Sequence, residues 1–398
     1  MLGRVLGSTG LGIINLTQQI ATLLLVLTML GMDNVLIKRV AIGHGTKDSG
    51  AIASSIYTAS VINGLLATAV TAAGILLAPW ASRRIFHTDA LEIPLIIALV
   101  VLVPQTFARI YAASLNGFGK VWQSNLVNNT LSIWVVALGL AFLYLARVRI
   151  TVVSVAILYA AARLVVFCSK GLYHRKLFRY RGQRQLLGRP MLKMACPLLI
   201  AAGAYLVMAN ADGVMLGWLK SPREVGLYSV AARVAALEIY FLMVSNSAIA
   251  PKMAALYAQG RKQEIEKIVK SVTAVLILIA TISLVLFDVF GPALLSMWGR
   301  DFTGAYLVLV VLGIGQFVNV STGCCGMVLA MCGYEKLVGY TSFTFLCLNL
   351  VLNYFLILRW GAVGAATATA ITIAGENATK MVLAKTKVGI STIPIPNF

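Results

Sequence analysis

The sequence predicts an all-α polytopic membrane protein made of two pseudo-repeated helical bundles. Three observations carry that prediction: a large excess of apolar residues, a series of apolar runs near 20 residues long, and a weak internal repeat. Hydrophobic residues make up 60% of the 398 and charged residues 12%, at a mean hydropathy of +0.88. That leaves too little polar surface to cover a globule in water, so a bilayer has to solvate most of the chain. The formal charge of +20 does not point to nucleic acid. The basic residues fall mainly in short segments between apolar runs, and no polar basic domain is present to hold a duplex.

About 20 apolar residues cross a bilayer as a helix, and eleven runs reach that size. In the first half they fall near 11–32, 54–79, 93–116, 122–145 and 150–168. In the second half they fall near 195–219, 225–250, 271–295, 304–331, 337–358 and 361–384. The connections are short, so no extramembrane enzyme domain fits between them. An N-terminal bundle is accordingly drawn over 1–169, a basic linker over 170–192 and a C-terminal bundle over 193–398. Sorting Lys and Arg by alternate loop gives 21 on one side and 9 on the other. The richer side, which includes the C-terminus, is predicted to be cytoplasmic. Residues 251–270 carry Met253, Leu256, Tyr257, Ile265 and Ile268 at helical spacing, with Glu266 and Lys270 at i,i+4; an interfacial helix is the natural reading. The six cysteines, Cys168, Cys196, Cys324, Cys325, Cys332 and Cys347, show no zinc or disulfide spacing and read as small core residues. The first apolar run is followed by many others and by no cleavage site ahead of a soluble domain, so no cleavable signal is predicted.

The repeat links the halves. Gly10 to Asn15 aligns with Glu224 to Ser229 at an offset of 214, and Asn116 to Lys120 aligns with Cys332 to Lys336 at an offset of 216. Six spans separate equivalent positions, so the halves have the same orientation in the membrane. At an offset of 214, Met1 falls on Met215, inside the run 195–219. The first half is therefore expected to lack the partner of that helix, which leaves about eleven spans and the expected first one absent.

The segments Leu6–Leu16, Leu30–Ala41 and Ser114–Gln123, with Ala211–Leu237, Ile249–Gly260 and Arg359–Ile371 in the second half, resemble a known family. It is the polysaccharide transporter, or Wzx-type O-antigen flippase, branch of the multidrug/oligosaccharidyl-lipid/polysaccharide (MOP, MATE-like) exporter superfamily. The resemblance implies two six-helix bundles around a cavity that opens to one leaflet at a time. It also implies translocation of an undecaprenyl-diphosphate-linked oligosaccharide, the precursor of O-antigen, capsule or exopolysaccharide, across the bacterial inner membrane. The partners so implied are that lipid-linked glycan, the surrounding membrane lipids and a polysaccharide polymerase of the same pathway, and no nucleic acid. Two rival functions are an ion-coupled exporter of small cationic molecules from the same superfamily and a membrane polysaccharide polymerase or ligase; a decayed copy of a longer gene is a third possibility. His44, His87 and His174 read as separate loop residues, and no Ser/His/Asp, metal-ligand or phosphate-loop constellation is visible. No catalytic residue, metal or cofactor is therefore expected.

Ionisable residues at depth cost at least about 2.5–3.5 kcal/mol on insertion scales, so each should face a cavity or a partner. Arg109, five residues after Pro104, and Arg163 lie in spans of the first half. Both are candidates for the substrate path, where a guanidinium fork matches phosphate oxygens; snorkelling or pairing with a carboxylate is the alternative for each. Asp212 and Arg233 lie on consecutive antiparallel spans at equal depth, about 12 Å from the outer loop at 1.5 Å per residue. They read either as a structural ion pair or as a proton- or cation-linked gate. Glu238, near the middle of its span, is the candidate coupling carboxylate, while Asp33, Asp288 and Glu376 lie close to span ends and read as interface residues.

Overall fold

The computed structural model describes residues 2–125, 130–179 and 184–394, and every regular element among them is a helix. The first half contains α1 (Leu2–Met29), α2 (Met32–Gly45), α3 (Ser49–Trp80), α4 (Glu92–Val100), α5 (Leu102–Gly117), α6 (Val121–Asn125), α7 (Ser132–Leu145) and α8 (Val152–Leu177). The second half contains α9 (Gly188–Leu219), α10 (Pro222–Ala235), α11 (Leu237–Ala258), α12 (Lys262–Ser296), α13 (Tyr306–Ser321), α14 (Cys325–Met331) and α15 (Glu335–Leu383). Leu76 and Leu145 are 80% exposed and Phe142, Val244 and Tyr340 are 70% exposed. So many large apolar side chains turned outward along apolar helices suit acyl chains and not water. The protein is a multi-pass membrane protein.

Seven described helices are individually long and apolar enough to span, and eight if α4 and α5, bent by 42°, make one span. The eleven predicted runs outnumber these because the run 93–116 is bent, two runs merge into one helix, and the runs 122–145 and 195–219 contain residues outside those described. Pro104 has no N–H to offer the carbonyl of residue 100, and the chain bends there at Val101. The run 225–250 divides at Ala236, and the run 304–331 divides at Gly323 (φ 71). Conversely, α15 joins two predicted runs. Its 49 residues would measure about 73 Å if straight, more than twice a hydrocarbon core of about 30 Å. The helix breaks at Gly361 (φ 57, ψ −132). Both ends of the break are capped from the α9–α10 junction: Lys220 Nζ donates to the Leu358 carbonyl at 2.9 Å, and Glu224 Oε2 accepts from the Ala362 N–H at 2.7 Å. A cation on the carbonyl end and a carboxylate on the N–H end each oppose the local helix dipole.

The chain gathers into two compact units, residues Ile13–Asn210 and residues Met1–Gly12 with Ala211–Phe398. They are termed the N-terminal and C-terminal units. The repeat is visible in their backbones. Residue Arg147 (φ 55) matches Gly361 (φ 57) at an offset of 214, and the left-handed turn residues Gly119 (φ 73) and Gly333 (φ 87) match at the same offset. The turn geometry thus moves the second sequence match from 216 to 214. The break in α1 at Gly7 (φ 68, ψ −176) falls opposite Ser221, the extended residue that starts α10. Residues 2–6 therefore stand in the place of residues 216–220, the end of α9.

Within the C-terminal unit the two repeats touch through equivalent atoms. A Cβ added to Gly12 would lie 1.7 Å from the Pro222 carbonyl oxygen, and one added to Gly226 would lie 2.0 Å from the Ser8 carbonyl oxygen. At the offset of 214, Gly12 is the counterpart of Gly226 and Ser8 that of Pro222. The contact is a pseudo-two-fold crossing of α1 and α10, close enough that only hydrogen fits at either centre.

Two local expectations change. The linker over 170–192 begins as helix, since α8 runs on to Leu177 and holds Lys170 and His174. Farther on, Gln185 and Leu187 donate backbone N–H groups to Ser54 Oγ at 3.1 Å and Thr58 Oγ1 at 2.8 Å. Residues 180–183, with Arg181, lie outside the described residues. The interfacial helix over 251–270 is instead the end of α11 and the start of α12, joined by a turn at Gly260 (φ 73). Met253, Leu256 and Ile265 meet Val388 and Ile390 of the C-terminal tail there, and the Glu266–Lys270 pair closes at 2.7 Å. Among the cysteines, Cys324, Cys325 and Cys332 are buried as core residues, whereas Cys168 and Cys347 are exposed on apolar helices; the side chain of Cys196 lies outside the described residues.

Candidate functional site

In the C-terminal unit the break at Gly361 folds α15 back on itself, so residues equidistant from the turn lie at one level. Asn353 and Thr369 are each eight residues from Gly361, and both converge on Asp212 of α9. Asn353 Nδ2 donates to Asp212 Oδ1 at 2.7 Å and Thr369 Oγ1 donates to Oδ2 at 2.8 Å. The Tyr228 hydroxyl of α10 also donates to Oδ2. The network continues along the hairpin: Asn353 Nδ2 reaches Asn349 Oδ1 at 2.9 Å, and Asn349 Nδ2 reaches Thr372 Oγ1 at 3.1 Å. Asn349, Asn353 and Thr372 are at most 2% exposed. A buried carboxylate held by three uncharged donors keeps its charge locally uncompensated. Beside it, Asn353 Oδ1 is buried without a hydrogen-bond partner among the described residues. Carboxylate, amide and hydroxyl oxygens grouped in this way suit a proton or a small hard monovalent cation.

Arg233, expected as the ion-pair or gate partner of Asp212, does not pair with it among the described residues. Equal depth fixes the level of the two side chains but not their direction around the helix. Arg233 is exposed, whereas Asp212 turns toward α10 and α15. Glu238 sits in the first turn of α11, just past the Ala236 break, at 1% exposure. Both of its carboxyl oxygens are buried and without hydrogen-bond partners among the described residues. A carboxyl group so placed, with no neighbouring donor among the described residues, suits a group that takes up and passes on a proton.

The N-terminal unit holds the cations. Arg109 on α5 points an Nη1 at Asp33 Oδ2 of α2 at 3.8 Å, with both side chains partly exposed. Arg163 on α8 donates through Nη2 to Gln18 Oε1 of α1, while its Nη1 is buried without an acceptor among the described residues. Gln105 Nε2, one turn before Arg109, is likewise buried without an acceptor. Along α8, Arg163, Lys170 and His174 recur at i, i+7 and i+11, one face of the helix, and α5 packs beside it. Lys170 is 1% exposed and feels the charge of Arg109. His174 Nε2 and Ser114 Oγ share a hydrogen bond of 3.0 Å, and the imidazole stacks on Tyr111 at 5.1 Å. Histidines read as isolated loop residues thus lie on helices in two cases: His44 packs on Phe118, Phe118 on Phe178, and Phe178 on His174.

Asn349, Asn353, Thr369, Thr372 and Tyr228 are uncharged and follow no metal-ligand spacing, so charge and ligand patterns in the sequence do not mark them. The signal that could have found them is the i,i+4 asparagine pair, with Thr369 mirrored about Gly361.

A model of the polysaccharide biosynthesis protein family matches residues 1–257, and a MatE family model matches residues 197–355. The probable low-salt glycan biosynthesis flippase Agl15 of Haloferax volcanii is 28% identical over 180 residues, 43% of this chain and 38% of that protein. The matched stretch is thus well under half the length of that relative. Two solved structures share the fold at low identity. An inward-facing multidrug resistance MATE family transporter of the MOP superfamily superposes with a TM-score of 0.76 at 12% identity, covering 96% of this chain and 93% of that one. The lipid II flippase MurJ in an inward closed conformation superposes with a TM-score of 0.70 at 14% identity, covering 95% and 86%. The family model runs across well over half of the 398 residues, and the helical fold agrees with it; this chain belongs to the polysaccharide biosynthesis protein family.

Proposed function

We propose that this protein is a flippase that carries a polyprenyl-diphosphate-linked oligosaccharide across the bacterial inner membrane by alternating access. Family membership and the flippase named among its relatives support the reading. The single observation that carries it to a diphosphate is the set of cationic and amide donors at depth in the N-terminal unit. Arg109, Arg163 and Lys170 lie on two neighbouring helices, and Arg163 Nη1 and Gln105 Nε2 lack acceptors among the described residues. A diphosphate is acceptor-only and offers what those donors lack. The asymmetry of basic residues favours a cytoplasmic C-terminus, and a polysaccharide polymerase is the natural downstream partner. Coupling is assigned to the C-terminal unit, at the Asp212 cluster with Glu238 as a second acid.

Charge-assisted hydrogen bonds are worth about 1.5–3 kcal/mol, so Arg109→Ala and Arg163→Lys should each lower glycan export roughly tenfold or more. Surface glycan is measured against protein abundance in the membrane, which stays unchanged. Normal surface glycan at normal abundance removes that residue from the path.

An ion-coupled exporter of small cationic molecules is the second reading, favoured by buried acids such as Asp212 and Glu238. Deleting the gene separates the two. Loss of surface glycan with unchanged susceptibility to cationic drugs supports the flippase, and the reverse supports the exporter.

A further inference from the structure

Beyond the Asp212 cluster, the same hairpin carries a second polar site that the proposed coupling does not use. Ser342 and Lys380 are each nineteen residues from Gly361 and meet at one level. Lys380 Nζ lies 2.5 Å from Glu376 Oε1, Ser342 Oγ donates to the same oxygen at 2.6 Å, and Lys380 Nζ donates to Ser342 Oγ at 3.2 Å. The side chains of Lys380 and Glu376 are only 12% and 9% exposed. On the second limb of α15, Thr369, Thr372, Glu376 and Lys380 recur at i, i+3, i+7 and i+11, a single helix face. On the first limb Asn353, Asn349 and Ser342 form the matching face, with Leu346 between them. A ladder of buried and half-buried polar groups therefore runs about 16 Å from the Asp212 level to Lys380, with one gap of a single turn, about 6 Å, between Thr372 and Glu376.

A buried ion pair adds little net stability because desolvating both charges offsets their attraction, and nothing in packing alone explains why one carboxylate should continue this ladder. We propose that Glu376 is the next station for the monovalent cation, sodium or proton, that occupies the Asp212 cluster, and that Lys380 is its gate. The inference rests on the assignment of coupling to Asp212. The Lys380 ammonium occupies Glu376 while the path is closed. A cation stepping from the Thr372 level displaces the ammonium and leaves past it toward the end of the bundle that carries Lys385 and Lys387. Among the described residues, Cys325 of α14 feels the Lys380 charge and its Sγ lies 3.7 Å from Asn377 Oδ1.

The two members of the pair then have opposite roles, which a structural ion pair does not have. The test is the exchange rate of radioactive sodium, and in parallel the response to a pH jump, on the full chain in phosphatidylethanolamine/phosphatidylglycerol liposomes. Glu376→Gln should slow exchange roughly tenfold, the loss of one charge-assisted contact of about 1.4 kcal/mol. Lys380→Gln should speed it by a similar factor, and both should leave equilibrium affinity within about twofold. The neutral double variant Glu376→Gln/Lys380→Gln, which keeps the side-chain volumes, should follow the slow single variant. The sodium and pH arms tell which cation is carried. Exchange that shifts in the same direction in both single variants, or in neither, overturns the gate while leaving coupling at Asp212 intact. A wild-type protein that responds to neither cation overturns both.

Discussion

Replacing Gly12 by valine is expected to prevent the protein from accumulating in a folded form. Ordinary overpacking costs about 1–3 kcal/mol because side chains move aside. At Gly12 the obstacle is the Pro222 carbonyl, 1.7 Å from the new Cβ, with the Gly226 backbone nitrogen at 2.9 Å. Backbone cannot rotate away as a side chain does, so two helices must separate along the crossing. The cost should therefore exceed that range, and Gly226→Val should match it through the Ser8 carbonyl. Fluorescence-detected gel filtration and the thermal midpoint in detergent give the readout. Gly45→Ala is the control, since no atom lies within 4 Å of its Cβ position. A Gly12→Val protein with a wild-type profile would mean that the crossing opens freely.

The second large effect is at Asp212. The Asp212→Asn variant keeps the shape and most of the hydrogen bonding but loses the charge, so transport should fall by two orders of magnitude, about 2.7 kcal/mol, with little change in midpoint. Asp212→Ala should also lower the midpoint. It strands the Tyr228 and Thr369 hydroxyls and one of the two Asn353 Nδ2 hydrogens, the other staying on Asn349 Oδ1, at about 1–3 kcal/mol for each buried donor left unpaired. Glycan export and thermal unfolding measured on the same preparations separate the two effects. Transport by Asp212→Asn at the wild-type rate would show that the carboxylate charge is not needed. Glu238→Gln in the same assay decides whether the second buried acid shares the task.

Solvation and repetition were legible in the sequence because both are properties of many residues at once. Apolar runs and two weak matches at nearly one offset were enough for the fold class, and the left-handed residues Gly119, Arg147, Gly333 and Gly361 then fixed the register. The site was less legible, for reasons of geometry. Depth along a helix can be counted, whereas direction around it depends on breaks such as Ala236, and this separates Arg233 from Asp212. Lys170 looked like a loop residue because it is charged, yet α8 continues past it and buries it. Glu376 looked like an interface residue by its place near a span end; its partners Ser342 and Lys380 become visible only once α15 folds at Gly361.

That fold has a consequence for how this gene can vary. Every pairing in the hairpin is set by counting residues outward from one glycine, so the positions are tied to chain length as well as to chemistry. One added or lost residue beside Gly361 turns the following limb by about 100° and moves it by about 1.5 Å. Thr369, Thr372, Glu376 and Lys380 would all leave their partners on α9 and the first limb together, while the Glu376–Lys380 pair, held within one limb, would stay. Substitutions along the limb act one contact at a time, whereas a single-codon insertion or deletion at the turn acts on the whole ladder. Natural variation in this stretch should therefore accept changed letters far more readily than changed length.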